Sequence, residues 1–248
     1  KSISFYPTSE LPQLSLDPMA SYSILNTFLL SNGDTYANLV QWSSMLISLV
    51  GVGLLCDLLK LSRSKQIFAV FLAASLPMGV LQATSTQNDY VLTSYVIALY
   101  YFVIRILGLK QQSIPYLEVI AIGIAAGLAI LTKTTAYLLI LGFLPYLFWY
   151  LANNKLSLKN KLLSGLLVIL IIVSINFYQS FQRQTLFNNF LGKFNEGNLG
   201  YTNSEISGRL FAENILKNLL LHITIEDKKL NSRVTSLTYA VADKYNLD

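Results

Sequence analysis

The chain has 248 residues and a net charge of +5, with 53% hydrophobic and only 12% charged residues. A soluble globular domain carries about 25% charged residues, so this composition, with a mean hydropathy of +0.50, argues against a soluble enzyme and for an integral membrane protein. The basic residues fall in short clusters between apolar runs, a pattern of membrane orientation rather than nucleic-acid binding, and the single cysteine, Cys56, excludes an intrachain disulfide.

Residues 1–36 are polar and broken by Pro7, Pro12, Pro18 and Asn32-Gly33-Asp34. Within them, Leu14 to Leu30 can hold a short interfacial helix with Tyr22, Ile24, Leu25 and Phe28 on its apolar side. The chain begins with Lys, and no stretch before Ala37 resembles a signal peptide or a first span. The expectation is a fragment with at least one span upstream.

The first predicted span is Ala37 to Leu59, with Trp42 near an interface, where indole rings concentrate. The second, Gln66 to Gln82, contains Pro77 and barely covers a hydrocarbon core of about 30 Å. The polar stretch Thr84-Ser85-Thr86-Gln87-Asn88-Asp89-Tyr90 follows, and the third span runs from Tyr90 to Leu109. Pro115 to Thr132 and Thr135 to Leu151 form the fourth and fifth, interrupted only by Lys133-Thr134. Gly123-x-x-x-Gly127 gives the fourth a small-residue face for close helix approach. After a polar, basic linker from Asn153 to Lys161, the sixth span is Leu162 to Phe177. Beyond Tyr178 the composition is mixed, with amphipathic patterns over Ser204–His222 and Asn231–Tyr245. The fold expected is therefore all-α: a polytopic transmembrane helical bundle of about six spans with outer interfacial helices. Residues 1–178 form the membrane core, including the outer loop 1–36, and 179–248 form a further outer loop.

Charge placement predicts the topology. The linkers after spans one, three and five carry Lys60/Arg63/Lys65, Arg105/Lys110 and Lys155/Lys159/Lys161. The linker after span two has no basic residue, and that after span four has Lys133 alone. By the positive-inside rule, residues 1–36, 83–90, 133–134 and 178–248 face outward.

Two residues stand out as carriers of chemistry. Asp89 sits at the outer mouth of span three. Its plainer role is a helix N-cap or first-turn acid. Capping needs one polar residue, however, and Thr84, Ser85, Thr86, Gln87 and Asn88 all crowd beside it, each able to bond a sugar hydroxyl or a phosphate. Lys133 is a basic residue in an outer linker, against the charge trend, flanked by Thr132, Thr134 and Thr135. Its plainer role is snorkelling to lipid phosphate; the chemical one is a counter-ion for a phosphate on which charge develops. Arg105, Asp57 and Glu118 read as anchors or local ion pairs at inner helix ends, and His222, the only histidine, as a packing residue. No Cys/His metal constellation, P-loop or nucleophile elbow occurs. No metal ligands are assigned, and a divalent cation is the one cofactor left open.

The run Ser75-Leu-Pro77-Met-Gly-Val-Leu-Gln82-Ala-Thr-Ser-Thr-Gln-Asn-Asp89-Tyr90 resembles the second outer loop of GT-C membrane glycosyltransferases. The nearest group is the dolichyl-phosphate-mannose-protein mannosyltransferase-like family, which includes bacterial lipid A aminoarabinose transferases. The run Gly123-Ile-Ala-Ala-Gly127-Leu-Ala-Ile-Leu-Thr-Lys133 is similar to that family's Gly-rich helix and its GLxxLTK turn. Tyr6-Pro7, with Asn38-Leu-Val-Gln41-Trp42 after it, resembles the end of the first outer loop. The resemblance covers roughly residues 1–195 and implies a polyprenyl-phosphate-linked sugar donor, a lipid, glycan or protein acceptor on the outer side, and an inverting transfer. It also implies a principal base in the first outer loop just after span one, upstream of this chain; Asp17 and Asp34 sit in the same loop, but neither is matched to that acid. Asp89 then becomes a second acid orienting donor or acceptor. Lys133 contacts the lipid phosphate, and Thr86, Gln87, Asn88 and Thr134 bind substrate. The family has about twice as many spans, so the fragment alone is expected to be inactive. The implied location is the plasma (inner) membrane of a bacterium, with the site facing outward. A transporter or flippase of a polar lipid or solute is the competing reading, because spans two and four are short and interrupted by Pro or Gly.

Overall fold

The computed structural model describes residues 16–108, 114–142, 145 and 156–188, together with single positions between 207 and 236. Every described element is an α-helix. In chain order they are α1 (Met19–Ser31), α2 (Leu39–Leu58), α3 (Arg63–Ala74), α4 (Pro77–Ala83), α5 (Asp89–Gly108), α6 (Tyr116–Thr132), α7 (Ala136–Leu141) and α8 (Leu158–Phe187). The predicted amphipathic segments Ser204–His222 and Asn231–Tyr245 lie outside the described residues except at single positions, as does most of the predicted fifth span.

Three of these helices, α2, α5 and α8, are long and apolar enough to cross a membrane, and α3 with α4 makes a fourth if the bent pair is one span. The 17-residue α6 is a shorter apolar helix. The second predicted span is thus two helices, bent by 66°. Proline has no N–H and disfavours a helical conformation in the residue before it. Leu76 accordingly is extended (φ −63°, ψ 116°), and Pro77 opens α4. Helix α8, the counterpart of the sixth predicted span, is longer than predicted at both ends. The Ser157 side chain caps it by accepting from Asn160 N–H (3.3 Å), and Asn188 ends it in the left-handed region (φ 51°).

The helices pack inside out relative to a soluble protein. The buried positions of α2 are Gln41, Ser44, Ser48 and Cys56, while Leu46, Ile47, Val50 and Leu54 are exposed. The two buried hydroxyls donate to carbonyls one turn back, Ser44 to Val40 (2.7 Å) and Ser48 to Ser44 (2.8 Å), leaving no unpaired hydroxyl in an apolar interior. Small polar residues inside and large aliphatics outside are what helix contact within lipid selects, because lipid tails and leucine are equally apolar. The apolar window of α8 is the extreme case, only 6% buried, with Leu162, Ile169, Leu170, Val173 and Phe177 all exposed. So large an exposed apolar face marks contact with lipid or another protein.

The helices stand side by side: α3 and α5 pack on α2, α6 packs on α5, and α8 packs on α6. The core lies between α5 and α6, where Leu92, Val96 and Leu99 meet Ala125, Ala126, Ala129 and Ile130, with Ile172 of α8 against them. The small-residue face of α6 meets α8. A Cβ on Gly127 would lie 2.8 Å from Ile175 Cδ1 and 3.4 Å from Ile172 Cα, and one on Gly123 3.0 Å from Ile171 Cβ. This close approach lets Asn176 Nδ2 donate to the Gly127 carbonyl across the interface (3.0 Å). We expect Gly127→Leu to push α6 and α8 apart and destabilise the protein by about 1–3 kcal/mol. A thermal-unfolding midpoint in detergent equal to wild type would contradict this packing.

Two ends of the bundle result. At one, Arg105 Nε pairs with Glu118 (3.1 Å) and Gln66 Nε2 donates to Asp57 (3.2 Å). Lys60 turns the chain there in a left-handed conformation (φ 58°), its N–H reaching Asp57 O (2.8 Å) and that of Leu61 reaching Cys56 O (3.0 Å). At the other end lie the polar stretch before α5, the turn after α6, and α1, which packs against α6 and α2.

Candidate functional site

Asp89 is the first residue of α5 and Lys133 the residue that follows α6. These helices are adjacent and antiparallel, so residues 44 apart in sequence meet: Lys133 Nζ donates to Asp89 Oδ1 at 2.7 Å. Each charge stands at the helix end that favours it, the carboxylate at an N-terminus and the ammonium at a C-terminus. Lys133 reaches this place because its backbone leaves the helix in an extended conformation (φ −161°, ψ 130°).

The pair borders a cavity of about 380 Å³ lined by Ala20, Ser21, Ile24, Thr86, Gln87, Asn88, Asp89 and Lys133. Small-molecule sites span roughly 300–1,000 Å³. Its wall is mixed: α1 supplies a mostly apolar side, and the stretch before α5 supplies amides, a hydroxyl and a carboxylate. The Asp89 and Lys133 side chains keep 29% and 38% of their surface exposed, so both charges reach solvent in the cavity. An ammonium has three donors; with one given to Asp89, others can hold an anionic oxygen.

The loop before α5 is built to hold its shape. Asn88 Nδ2 donates to the Thr132 carbonyl (3.2 Å), Ser85 Oγ accepts from Gln87 N–H (3.2 Å), and Thr93 Oγ1 donates to Asp89 O (2.7 Å). Beneath it lies Gln41, which the sequence offered only as part of the run resembling the end of the first outer loop. Gln41, completely buried, accepts through Oε1 from the N–H groups of Tyr90 (3.0 Å) and Val91 (3.2 Å), and its Nε2 donates to Gln82 O (3.5 Å). It therefore caps α5 from another helix, satisfying amides that have no partner within their own helix. Since those amides are taken, Lys133 is the group at this rim best placed to meet an anion.

Of the six residues singled out from the sequence, Asp89, Lys133, Thr86, Gln87 and Asn88 line one cavity. Thr134 does not. Its hydroxyl donates to Asp17 Oδ2 (2.8 Å), behind the cavity wall. Asp17 in turn accepts through Oδ1 from Arg183 Nη2 of α8 (2.6 Å), and both side chains are buried. Arg183 lies past the predicted end of the sixth span, and no local pattern marked it. Among the described residues, no group of three or more His, Cys, Asp or Glu side chains converges as a metal site.

A family model described as dolichyl-phosphate-mannose-protein mannosyltransferase matches residues 15–178, about two thirds of the chain. That range contains the whole cavity lining and both members of the Asp89–Lys133 pair. No curated protein and no solved structure matches the chain.

Proposed function

The chain belongs to the dolichyl-phosphate-mannose-protein mannosyltransferase family of membrane glycosyltransferases, and we propose that it moves a sugar from a polyprenyl-phosphate donor to an acceptor on the outer face of the membrane. One observation carries this reading: a lysine ammonium and an aspartate carboxylate share the wall of a polar cavity at the end of a lipid-facing bundle. A donor held in the bilayer by its prenyl tail reaches such a rim by lateral diffusion and needs no nucleotide pocket.

The chemistry assigns roles. The acceptor's hydroxyl or amine attacks the anomeric carbon as the bond to the phosphate oxygen breaks. Negative charge collects on the departing phosphate, and Lys133 lies where a cation can oppose it. Asp89 holds Lys133 in place and accepts a hydrogen bond from donor or acceptor. Gln87, Asn88 and Thr86 bond sugar hydroxyls. The proton leaving the acceptor passes to a carboxylate base, and Asp17 is not placed for that role, because it is buried and does not line the cavity.

Sidedness is read from charge. Lys60, Arg63, Lys65, Arg105, Lys159 and Lys161 lie at or near the helix ends opposite Asp89, which by the positive-inside rule turns the cavity away from the cytosol. On this basis we propose that the cavity faces the non-cytosolic side; the inner membrane of a bacterium is the location that the family resemblance implies.

A carrier of polar lipids is the second reading, favoured by the 66° break between α3 and α4, since broken helices line many transport sites. Membranes from cells that make the protein, given a radiolabelled polyprenyl-phosphate sugar, separate the two. We expect the label to become covalently attached to an endogenous acceptor. Label that crosses the bilayer with its phosphate–sugar bond intact would reject transfer and establish the carrier.

A further inference from the structure

One buried carboxylate joins three distant parts of the chain. Asp17, just before α1, binds Arg183 of α8 through one oxygen and Thr134 through the other, across 166 and 117 residues of sequence. Gln179, also buried and one turn before Arg183, donates to the Leu16 carbonyl (3.3 Å). None of these residues lines the cavity, but two are close in the chain to residues that do: Thr134 follows Lys133, and Asp17 stands three residues before Ala20.

Among the described residues, little else ties α1 to the other helices. Ala20 is its only buried residue, whereas Tyr22, Leu25, Leu29 and Leu30 are exposed. A helix with so little buried surface opens easily unless tied at an end. Asp17 supplies the tie, and because the same carboxylate holds Thr134, it fixes α1 in relation to the turn that carries Lys133.

We propose that Asp17, Arg183 and Thr134 form a clasp of positioning residues, which holds the α1 wall of the cavity against the Lys133 turn and so sets the distance between the phosphate-binding ammonium and the wall facing it. The kinetic consequence rests on the donor reading of the cavity; the mechanical one does not.

The test uses Thr134→Val, which removes one hydroxyl and leaves the Asp17–Arg183 pair in place, with Thr134→Ser as the conservative partner and Asp17→Asn as the stronger cut. In the first arm, Cys56 is replaced by alanine and Ala20, 3% exposed on the cavity wall, by cysteine. Labelling of the purified protein with a maleimide is then timed. Thr134→Val and Asp17→Asn should speed labelling of position 20 about tenfold or more, and Thr134→Ser should leave it unchanged. In the second arm, kcat for transfer should fall about tenfold to a hundredfold in Thr134→Val, as expected for a misplacement of about an ångström, with Thr134→Ser restoring it. Equal labelling rates in all variants would overturn the clasp, even if transfer itself is confirmed. Faster labelling would uphold it even if Asp89 and Lys133 variants kept full activity and the catalytic reading fell.

Discussion

Replacing Lys133 with alanine is expected to lower the rate of sugar transfer by about 10²–10³-fold, the loss typical of removing one preorganised group that meets charge developing in a transition state. The loss falls on kcat, because the phosphate gains its extra charge only as the bond to the sugar breaks. Arginine at this position recovers part of the rate, since it keeps the charge but spreads it over a planar fork with different reach. Asp89→Asn is expected to act through the same pair: the amide no longer opposes the ammonium 2.7 Å away, and Lys133 is free to leave its place. Folding should hardly change in either variant, because both side chains are partly exposed and such ion pairs contribute about 0–1 kcal/mol. Initial rates of purified variants at saturating polyprenyl-phosphate sugar, paired with thermal unfolding, check both statements. Near-normal turnover by both variants would remove these residues from the reaction.

The largest effect on stability is expected at Gln41. Gln41→Leu keeps approximate size and apolar fit but orphans the N–H groups of Tyr90 and Val91, which Gln41 Oε1 now accepts. A buried donor left without a partner costs about 1–3 kcal/mol, so the two together cost about 2–6 kcal/mol. The damage also falls where Asp89 is held, so activity should decline with stability. Gln41→Glu keeps the acceptor beside the positive end of α5, though it buries a charge and loses the donor to Gln82, and should lie between wild type and leucine. The midpoint of thermal unfolding in detergent gives the order; a leucine variant as stable as wild type would show that α5 does not depend on this cap.

The periodic, apolar features of the fold were legible in the sequence, and so were the two charged residues that meet at one end of the bundle. Helix α5 starts within a residue of the position expected from Asp89-Tyr90, and α6 ends at Thr132 as the Lys133-Thr134 interruption implied. Asp89 and Lys133 stood out because each breaks a local trend, one as an acid among lipid-grade helices and the other as a base against the charge alternation. Pro77 announced a break, but the length of the apolar run concealed that it ends one helix and begins another. What stayed hidden were partners. Gln41 lies in an apolar segment, where it was part of a run resembling the end of the first outer loop, and nothing near it points to Tyr90, 49 positions away. Arg183 sits among Gln179, Gln182 and Gln184, a mixture that looks like the start of a loop rather than the end of a 30-residue helix. Thr134 was expected to face substrate because its neighbour does, yet successive residues at a turn point different ways, and its hydroxyl turned to Asp17. Periodicity reports which face of an element is apolar; it does not report what that face will meet.

The length of α8 has a consequence for where such a protein can work. Thirty residues at 1.5 Å each reach about 45 Å, against a hydrocarbon thickness of about 30 Å. An upright rod therefore has roughly a third of its length outside the hydrocarbon, shared between the end with Lys159 and Lys161 and the end with Arg183. A thicker leaflet would draw these ends into oil or straighten the rod, and a thinner one would lean it over. Bilayer thickness thus becomes a mechanical input to the far side of the cavity, and lipid composition a determinant of which membranes suit the protein.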